Sequence, residues 1–159
     1  MSEVAAKAFF FGTHKNRLDS KGRVSFPAIF RNVLTKLGSE GVIVYKSPKH
    51  RAIEGVTIER MMQMSAALET MSPYAPERDD FETAIFGEAS QLQFDPEGRC
   101  VIPRALLDDA GIGQDVAFIG HGQSFQIWEP GALDARKAKS AEAVSTGAVR
   151  FPLLSSSAA

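Results

Sequence analysis

The chain has 159 residues, of which 44% are hydrophobic and 23% are charged, as is ordinary for a soluble globular protein. An apolar run of roughly 18 residues, the length needed to span a bilayer, is absent from the sequence. A secretory signal pattern is also lacking, and one cysteine cannot form an internal disulfide. These features predict a cytoplasmic protein without a membrane partner.

The charge is distributed unevenly along the chain. Residues 1–51 carry ten basic and three acidic residues, a net charge of +7, whereas residues 52–97 carry −8 and residues 98–159 are neutral. Clustered positive charge releases counterions when it docks on a polyphosphate, so the first third is the candidate anion-binding region. The alternative on charge alone is a solvated basic face balanced by an acidic one elsewhere.

A ten-residue segment occurs twice. Leu18–Pro27 recurs as Phe94–Pro103 at a constant offset of 76 residues, and the Asp, Gly, Arg and Pro positions are identical. Repetition at a fixed offset indicates that one structural unit is used twice.

Each copy predicts a strand, a tight turn and a second strand. Asp19 and Asp95 stand at the first turn position and Gly22 and Gly98 at the fourth, as a type I turn prefers. The flanking apolar residues alternate, which is typical of half-buried strands and places the two arginines on the solvent side. Those arginines are Arg23 and Arg99.

Each copy continues into a helix and a further strand. We expect Pro27 and Pro103 at the first helical position, and Gly38 and Gly111 as the helix stops. Strands are predicted at Val42–Tyr45, Val116–Ile119 and Phe125–Trp128. Further helices are predicted from Ile58 to Met71, from Asp79 to Phe86 and from Leu133 to Ala143, followed by a disordered tail at Leu154–Ala159. The fold class is therefore mostly β with short helices (α+β).

The residues that usually carry catalysis or bind metals are not clustered. His14, His50 and His121 are scattered, and Cys100 takes the place of the apolar Val24 in the other repeat. Phosphate-loop, dinucleotide and nucleophile-elbow signatures are missing. We therefore expect no enzyme activity, no cofactor, no metal site and no small-molecule substrate.

Two groups of segments resemble the MraZ family of transcriptional regulators. The first comprises Gly12–His14, Arg17–Val24 and Pro27–Ala28. The second comprises Phe94–Arg99, Ile102–Pro103, Ala110–Ile112 and Phe125–Trp128. The resemblance spans residues 9–140, and two D-x-x-G-R turns with these neighbours are more specific than one short motif.

The resemblance implies two AbrB-like swapped-hairpin β-barrel repeats that pack as an intramolecular pseudo-dimer. The first repeat would span 8–55, a helical connector 56–88, the second repeat 89–131, and a C-terminal helix with its tail 132–159. Copies would assemble into a homo-oligomeric ring in the nucleoid. That ring would bind short direct repeats of double-stranded DNA and repress its own promoter, ahead of a cell-division and cell-wall gene cluster.

The same resemblance assigns DNA contacts to Lys21, Arg23 and Arg99. Position on the strand that enters the first turn adds Lys15 and Arg17 as phosphate contacts, with solvated surface charge as the alternative. The arginines suit base contacts in the major groove, but each could also form a structural ion pair with the turn aspartate. A departure from the family pattern is Glu97, which stands where the first repeat has Lys21.

A second function keeps the same fold. The chain would then be an AbrB-like or antitoxin-like interaction protein whose C-terminal region binds a protein partner, and such a partner should co-purify with it.

Overall fold

A computed structural model describes residues 7–39 and 41–153. This part of the chain forms eight β-strands, five α-helices and one π-helical turn. In chain order they are β1 (Thr13–Arg17), β2 (Arg23–Ser25), α1 (Ala28–Leu37), β3 (Val42–Lys46), β4 (Ile53–Thr57), α2 (Ile58–Leu68), α3 (Pro76–Phe81), the π-helical turn (Glu82–Phe86), β5 (Ser90–Leu92), β6 (Arg99–Val101), α4 (Arg104–Asp109), β7 (Asp115–Gly120), β8 (Ser124–Trp128) and α5 (Pro130–Ser145).

The strands form two antiparallel sheets. Six of them lie in the order β1-β7-β8-β4-β3-β5, and the remaining two, β2 and β6, pair with each other as a short ribbon. The prediction of a β-barrel is therefore wrong, because β1 and β5 are the two open edges of the larger sheet. β2 and β6, which follow β1 and β5 in the chain, pair with each other and do not join the two edges of the larger sheet.

The larger sheet has two-fold pseudo-symmetry. If each of β1–β4 is exchanged for its counterpart in β5–β8, the sheet read from the opposite edge has the same strand order. β1 of the first half pairs with β7 of the second, and β5 of the second half pairs with β3 of the first. At the centre, β4 lies beside β8, as β2 lies beside β6 in the ribbon. The predicted mostly-β pseudo-dimer with exchanged hairpins is confirmed.

Aromatic side chains from both halves form the centre of the core. Phe10, Phe26, Phe30, Phe118 and Phe125 are each at most 1% exposed. Their contacting rings lie 5.2–5.9 Å apart between centroids, mostly edge to face, an arrangement that adds to the stabilisation from burial. Because three of these rings come from the first half and two from the second, neither half has a complete core.

The helix boundaries lie within three residues of the predicted ones. Pro27 and Pro103 are N-caps with ψ of 132° and 130°, so each helix begins one residue later than predicted. Gly38 and Gly111 do lie at the helix ends, with φ of 61° and 68°. The helix predicted from Ile58 to Met71 ends at Leu68, and that predicted for Leu133–Ala143 spans Pro130–Ser145.

The helices after β4 and β8 pack on the outer face of the sheet. Met61 of α2 is buried with Tyr45 and Val56. Leu133 of α5 packs with Trp128 in a separate cluster. None of the helices in the described ranges is long and apolar enough to cross a membrane. The predicted tail at Leu154–Ala159 lies outside the described residues.

Candidate nucleic-acid interface

The first turn, Asp19–Gly22, is held by a single carboxylate. Oδ1 of Asp19 accepts hydrogen bonds from the backbone N–H groups of Lys21 and Arg23, both at 2.9 Å. Its Oδ2 accepts from Nε of Arg23 at 2.7 Å. The Gly22 N–H closes the turn on the Asp19 carbonyl at 3.0 Å, and its φ of 78° explains why glycine stands there. Asp19 and Gly22 therefore structure the turn.

The second turn, Asp95–Gly98, repeats this network. Oδ1 of Asp95 accepts from the N–H groups of Glu97 and Arg99 at 3.0 and 2.9 Å, and its Oδ2 accepts from Nε of Arg99 at 2.8 Å. Gly98 donates to the Asp95 carbonyl at 2.9 Å and has a φ of 79°. Two turns 76 residues apart thus have the same chemistry.

The ribbon of β2 and β6 joins the two turns. Val24 lies opposite Cys100 in the register, and both are buried in the core. Because neighbouring residues of a strand point to opposite faces, the other ribbon residues share the outward face. This ribbon face consists of Arg23, Ser25, Arg99 and Val101.

The two arginines therefore lie on one outward face, although they come from different halves of the chain. Ser25 and Val101, which lie directly opposite them in the register, were missed. The period-two alternation around Val24 and Cys100 would have indicated both. The Ser25 carbonyl is also fixed from β1, where the Asn16 side chain donates to it at 2.6 Å.

The charged form of each turn carboxylate is favoured. Backbone hydrogen bonds from Arg23 and Arg99 lower the pKa of Asp19 and Asp95 respectively, and the side-chain bonds from the same arginines add to the effect. The side-chain hydrogen bond to Asp95 raises the pKa of Arg99 further above its usual value. Each arginine of the ribbon face is accordingly paired with a charged carboxylate.

Lys21 lies in the exposed first turn, adjacent to this face. Within residues 7–39 and 41–153, no ion pair of Lys21 is formed. Since antiparallel strands start at opposite ends, the first and second turns lie at opposite ends of the ribbon. Lys21 therefore marks one end and Glu97 the other.

Lys15 and Arg17 are not brought onto the ribbon face. Nζ of Lys15 lies 3.7 Å from Asp134 of α5, and Nε of Arg17 donates to Asp115 of β7 at 3.1 Å. His14 and Asn16, which alternate with them, point the other way, towards Phe30 and Ser25. Lys15 and Arg17 thus lie on the outer face of β1, beside the start of α5.

The described residues contain no group of three or more His, Cys, Asp or Glu that could hold a metal ion. Cys100 is buried in the ribbon, and this burial raises the pKa of its thiol to about 12. Its position behind the ribbon face makes it a small apolar side chain rather than a nucleophile.

Together, the fold and this surface define a swapped-hairpin protein in which two related halves form one β-ribbon with two arginines on its outward face. A family model described as "MraZ protein, putative antitoxin-like" matches residues 85–150. A Pelagibacter ubique protein named transcriptional regulator MraZ is 44% identical over 128 residues, which cover 80% of this chain and 83% of the relative. The chain belongs to the MraZ family.

Two further relatives have the same name. One from Rickettsia bellii is 47% identical over 115 residues, covering 72% of this chain and 77% of the relative. One from Rickettsia rickettsii is 46% identical over 121 residues, covering 76% and 81%.

Proposed function

We propose that this chain is a DNA-binding transcriptional regulator whose ribbon face docks in the major groove. The observation that carries the proposal is the placement of Arg23 and Arg99 on the outward face of a two-stranded ribbon. A two-stranded ribbon is slim enough to enter that groove, and arginine suits bidentate contact with guanine. The names of the relatives agree with this role.

Arg23 is the leading candidate for base contact. Asp19 bonds its Nε, and in the described part of the chain its two terminal nitrogens form no hydrogen bond. Because the guanidinium is fixed at Nε, its two terminal nitrogens are already oriented before binding, which lowers the entropic cost of a bidentate contact. Asp19 therefore both structures the turn and orients the arginine.

The neighbouring lysines and arginine supply phosphate contacts in this proposal. Lys21 extends from the exposed turn beside Arg23 and would anchor the ribbon to the backbone without reading sequence. Lys15 and Arg17 would contact phosphates farther along. Their ion pairs with Asp134 and Asp115 are exposed, and exposed pairs contribute so little that a phosphate can replace the carboxylate.

We further propose that copies form a homo-oligomer, such as a ring, in the cytoplasm at the nucleoid. A single subunit with one small ribbon would bind weakly, whereas several ribbons on repeated sites gain avidity. The target would be short direct repeats ahead of the protein's own gene in a cell-division and cell-wall cluster, and binding there would repress the promoter. This role needs no cofactor, substrate or catalysis. The division into 8–55, 56–88, 89–131 and 132–159 is proposed on the same basis.

The test is a footprint of the purified protein on DNA upstream of its own gene, with expression of a reporter from that promoter. We expect protection of repeated short sequences and lowered reporter expression. Lys21→Gln should weaken protection about tenfold, because the lost contact recurs in every subunit. Lys139→Gln, on exposed α5, is the matched control and should bind as wild type.

The absence of selective protection at any protein concentration would contradict the proposal. A protein that copurifies with the chain under those conditions would instead support the antitoxin-like interaction role.

A further inference from the structure

The two turns share one hydrogen-bond network but expose opposite charges. Lys21 and Glu97 occupy the same position in the repeat, two residues before the arginine that both copies share. The backbone N–H of each donates to the turn aspartate, at 2.9 Å for Lys21 and 3.0 Å for Glu97. The pseudo-symmetry of the backbone is therefore broken at this position by side-chain charge.

Glu97 also changes the state of the arginine beside it. Its Oε2 lies 3.4 Å from Nη2 of Arg99, whose Nε is already bonded to Asp95 at 2.8 Å. Arg99 is thus held by two carboxylates, whereas Arg23 is held only by Asp19 within the described residues. One of the terminal nitrogens that would contact a guanine is engaged in Arg99 and available in Arg23.

The second turn is also packed more tightly into the fold. Nε of Arg31 donates to the Phe26 carbonyl at 3.2 Å, and a Cβ added to Gly98 would collide with the Arg31 guanidinium. A Cβ added to Gly22 would meet no atom within 4 Å. Gly98 is accordingly buried, while the first turn stands open.

We propose that Glu97 makes the ribbon one-ended: the first turn docks on the DNA backbone, and Glu97 keeps the second turn off that backbone. The inference rests on the proposed function and assigns a specificity role to Glu97. A carboxylate facing a phosphate repels it, and neutralising Glu97 would also release Nη2 of Arg99.

One-ended docking has a consequence for the DNA target. A subunit with two equivalent turns has a two-fold axis and would match an inverted repeat. When one turn is excluded, each subunit has a direction on the duplex. Subunits that follow one another in the same sense then match direct repeats.

The test is fluorescence-anisotropy binding at several salt concentrations, to direct-repeat and inverted-repeat fragments of the same half-sites. The proteins are wild type, Glu97→Gln, Glu97→Lys, Lys21→Gln and Glu77→Lys. Glu77→Lys makes the same charge change on exposed α3, away from the ribbon, and so controls for net charge. The oligomer mass and circular dichroism of each variant are compared with those of wild type.

We expect Glu97→Lys to steepen the plot of log K against log salt by at least about 0.9, the value for one added phosphate contact. It should also reduce the preference for direct over inverted repeats. Glu97→Gln should change both quantities in the same direction by a smaller amount, and provides the test if Glu97→Lys does not fold. Lys21→Gln should flatten the slope by about 0.9 or more.

The outcomes separate the two proposals. Wild type that binds neither fragment selectively would overturn the proposed function. The role of Glu97 would be overturned, with the proposed function left standing, by the following combination of results. Wild type binds selectively and Lys21→Gln weakens that binding, but Glu97→Gln binds as wild type does and Glu97→Lys binds as Glu77→Lys does.

Discussion

One carboxylate in each turn fixes both the backbone and the arginine that follows it. Asp19 and Asp95 each accept two backbone N–H bonds and one side-chain bond. The D-x-x-G-R spacing predicts this turn because aspartate and glycine have positional preferences that do not depend on the rest of the fold. The location of Arg31 against Gly98 could not be predicted, since it joins α1 to a turn 67 residues later.

The turn carboxylates should make the stability of the fold dependent on acid pH. Their pKa values are lowered from 3.8 by hydrogen bonds that favour the charged form, so the stabilisation is complete above that pH. It is lost as pH falls below 3.8 through the folded-state pKa, because the unfolded state then binds more protons. Asp95→Asn should be less stable than wild type near pH 7 and should lose less stability between pH 5 and 2.

Urea unfolding across that pH range measures this difference. Parallel stability curves for wild type and Asp95→Asn would show that the carboxylate of Asp95 is not the titrating group. Asp134→Asn, which alters an exposed pair outside the turns, is the control.

The thiol of Cys100 should be unreactive in the folded protein. Burial raises its pKa to about 12, so almost no thiolate is present at pH 8, and the ribbon covers the sulfur. Ellman's reagent should therefore react only at the rate of unfolding and rapidly in denaturant. Immediate stoichiometric reaction in native buffer would contradict the buried position of Cys100.

At the scale of elements, most strands and helices follow from local pattern. Gly38 and Gly111 end helices as predicted, because a left-handed residue at a helix end is best supplied by glycine. The exchange of hairpins between the halves cannot be predicted from the local sequence pattern, because nothing in the sequence of β1 indicates that it pairs with β7 and not with a strand nearer in the chain. The resemblance to a family supplied that part, and it also supplied the barrel, which is wrong because β2 and β6 pair with each other.

The central strand β4 depends on a close approach at Gly55. A Cβ at this position would collide with the ring of Phe125, its register partner on β8. Gly55→Ala should therefore displace a core aromatic residue and lower the free energy of unfolding by about 1–3 kcal/mol, as overpacked cores do. Gly113→Ala, where an added Cβ meets no atom within 4 Å, is the matched control.

Denaturant unfolding of both variants measures the effect. Equal stability of Gly55→Ala and Gly113→Ala would mean that Phe125 can move without cost, contrary to the packing described above.

At the scale of the whole molecule, each half completes the other. Among residues 7–39 and 41–153, β1 pairs with β7 alone and β5 pairs with β3 alone, and the ribbon takes one strand from each half. The sequence indicated the duplication through its repeat, but only the fold shows that the two copies share one core. The surface proposed to bind DNA exists only when both halves are in place.

Fragments 1–88 and 89–159 should consequently be largely unfolded when expressed separately at low concentration. Mixing them should restore β-sheet circular dichroism, because the exchanged strands can pair between fragments as they do within the chain. A cooperatively folded monomer of either fragment alone would contradict the shared core.

Recognition of DNA by the first turn and the ribbon face can be tested by fluorescence-anisotropy binding. Wild type and Arg23→Ala are compared on a fragment from upstream of the protein's own gene and on a scrambled fragment, and the oligomer mass of both proteins is measured alongside. We predict selective, salt-sensitive binding by wild type and loss of that selectivity in Arg23→Ala at unchanged mass. Equal weak binding of wild type to both fragments, or no effect of the substitution, would contradict it.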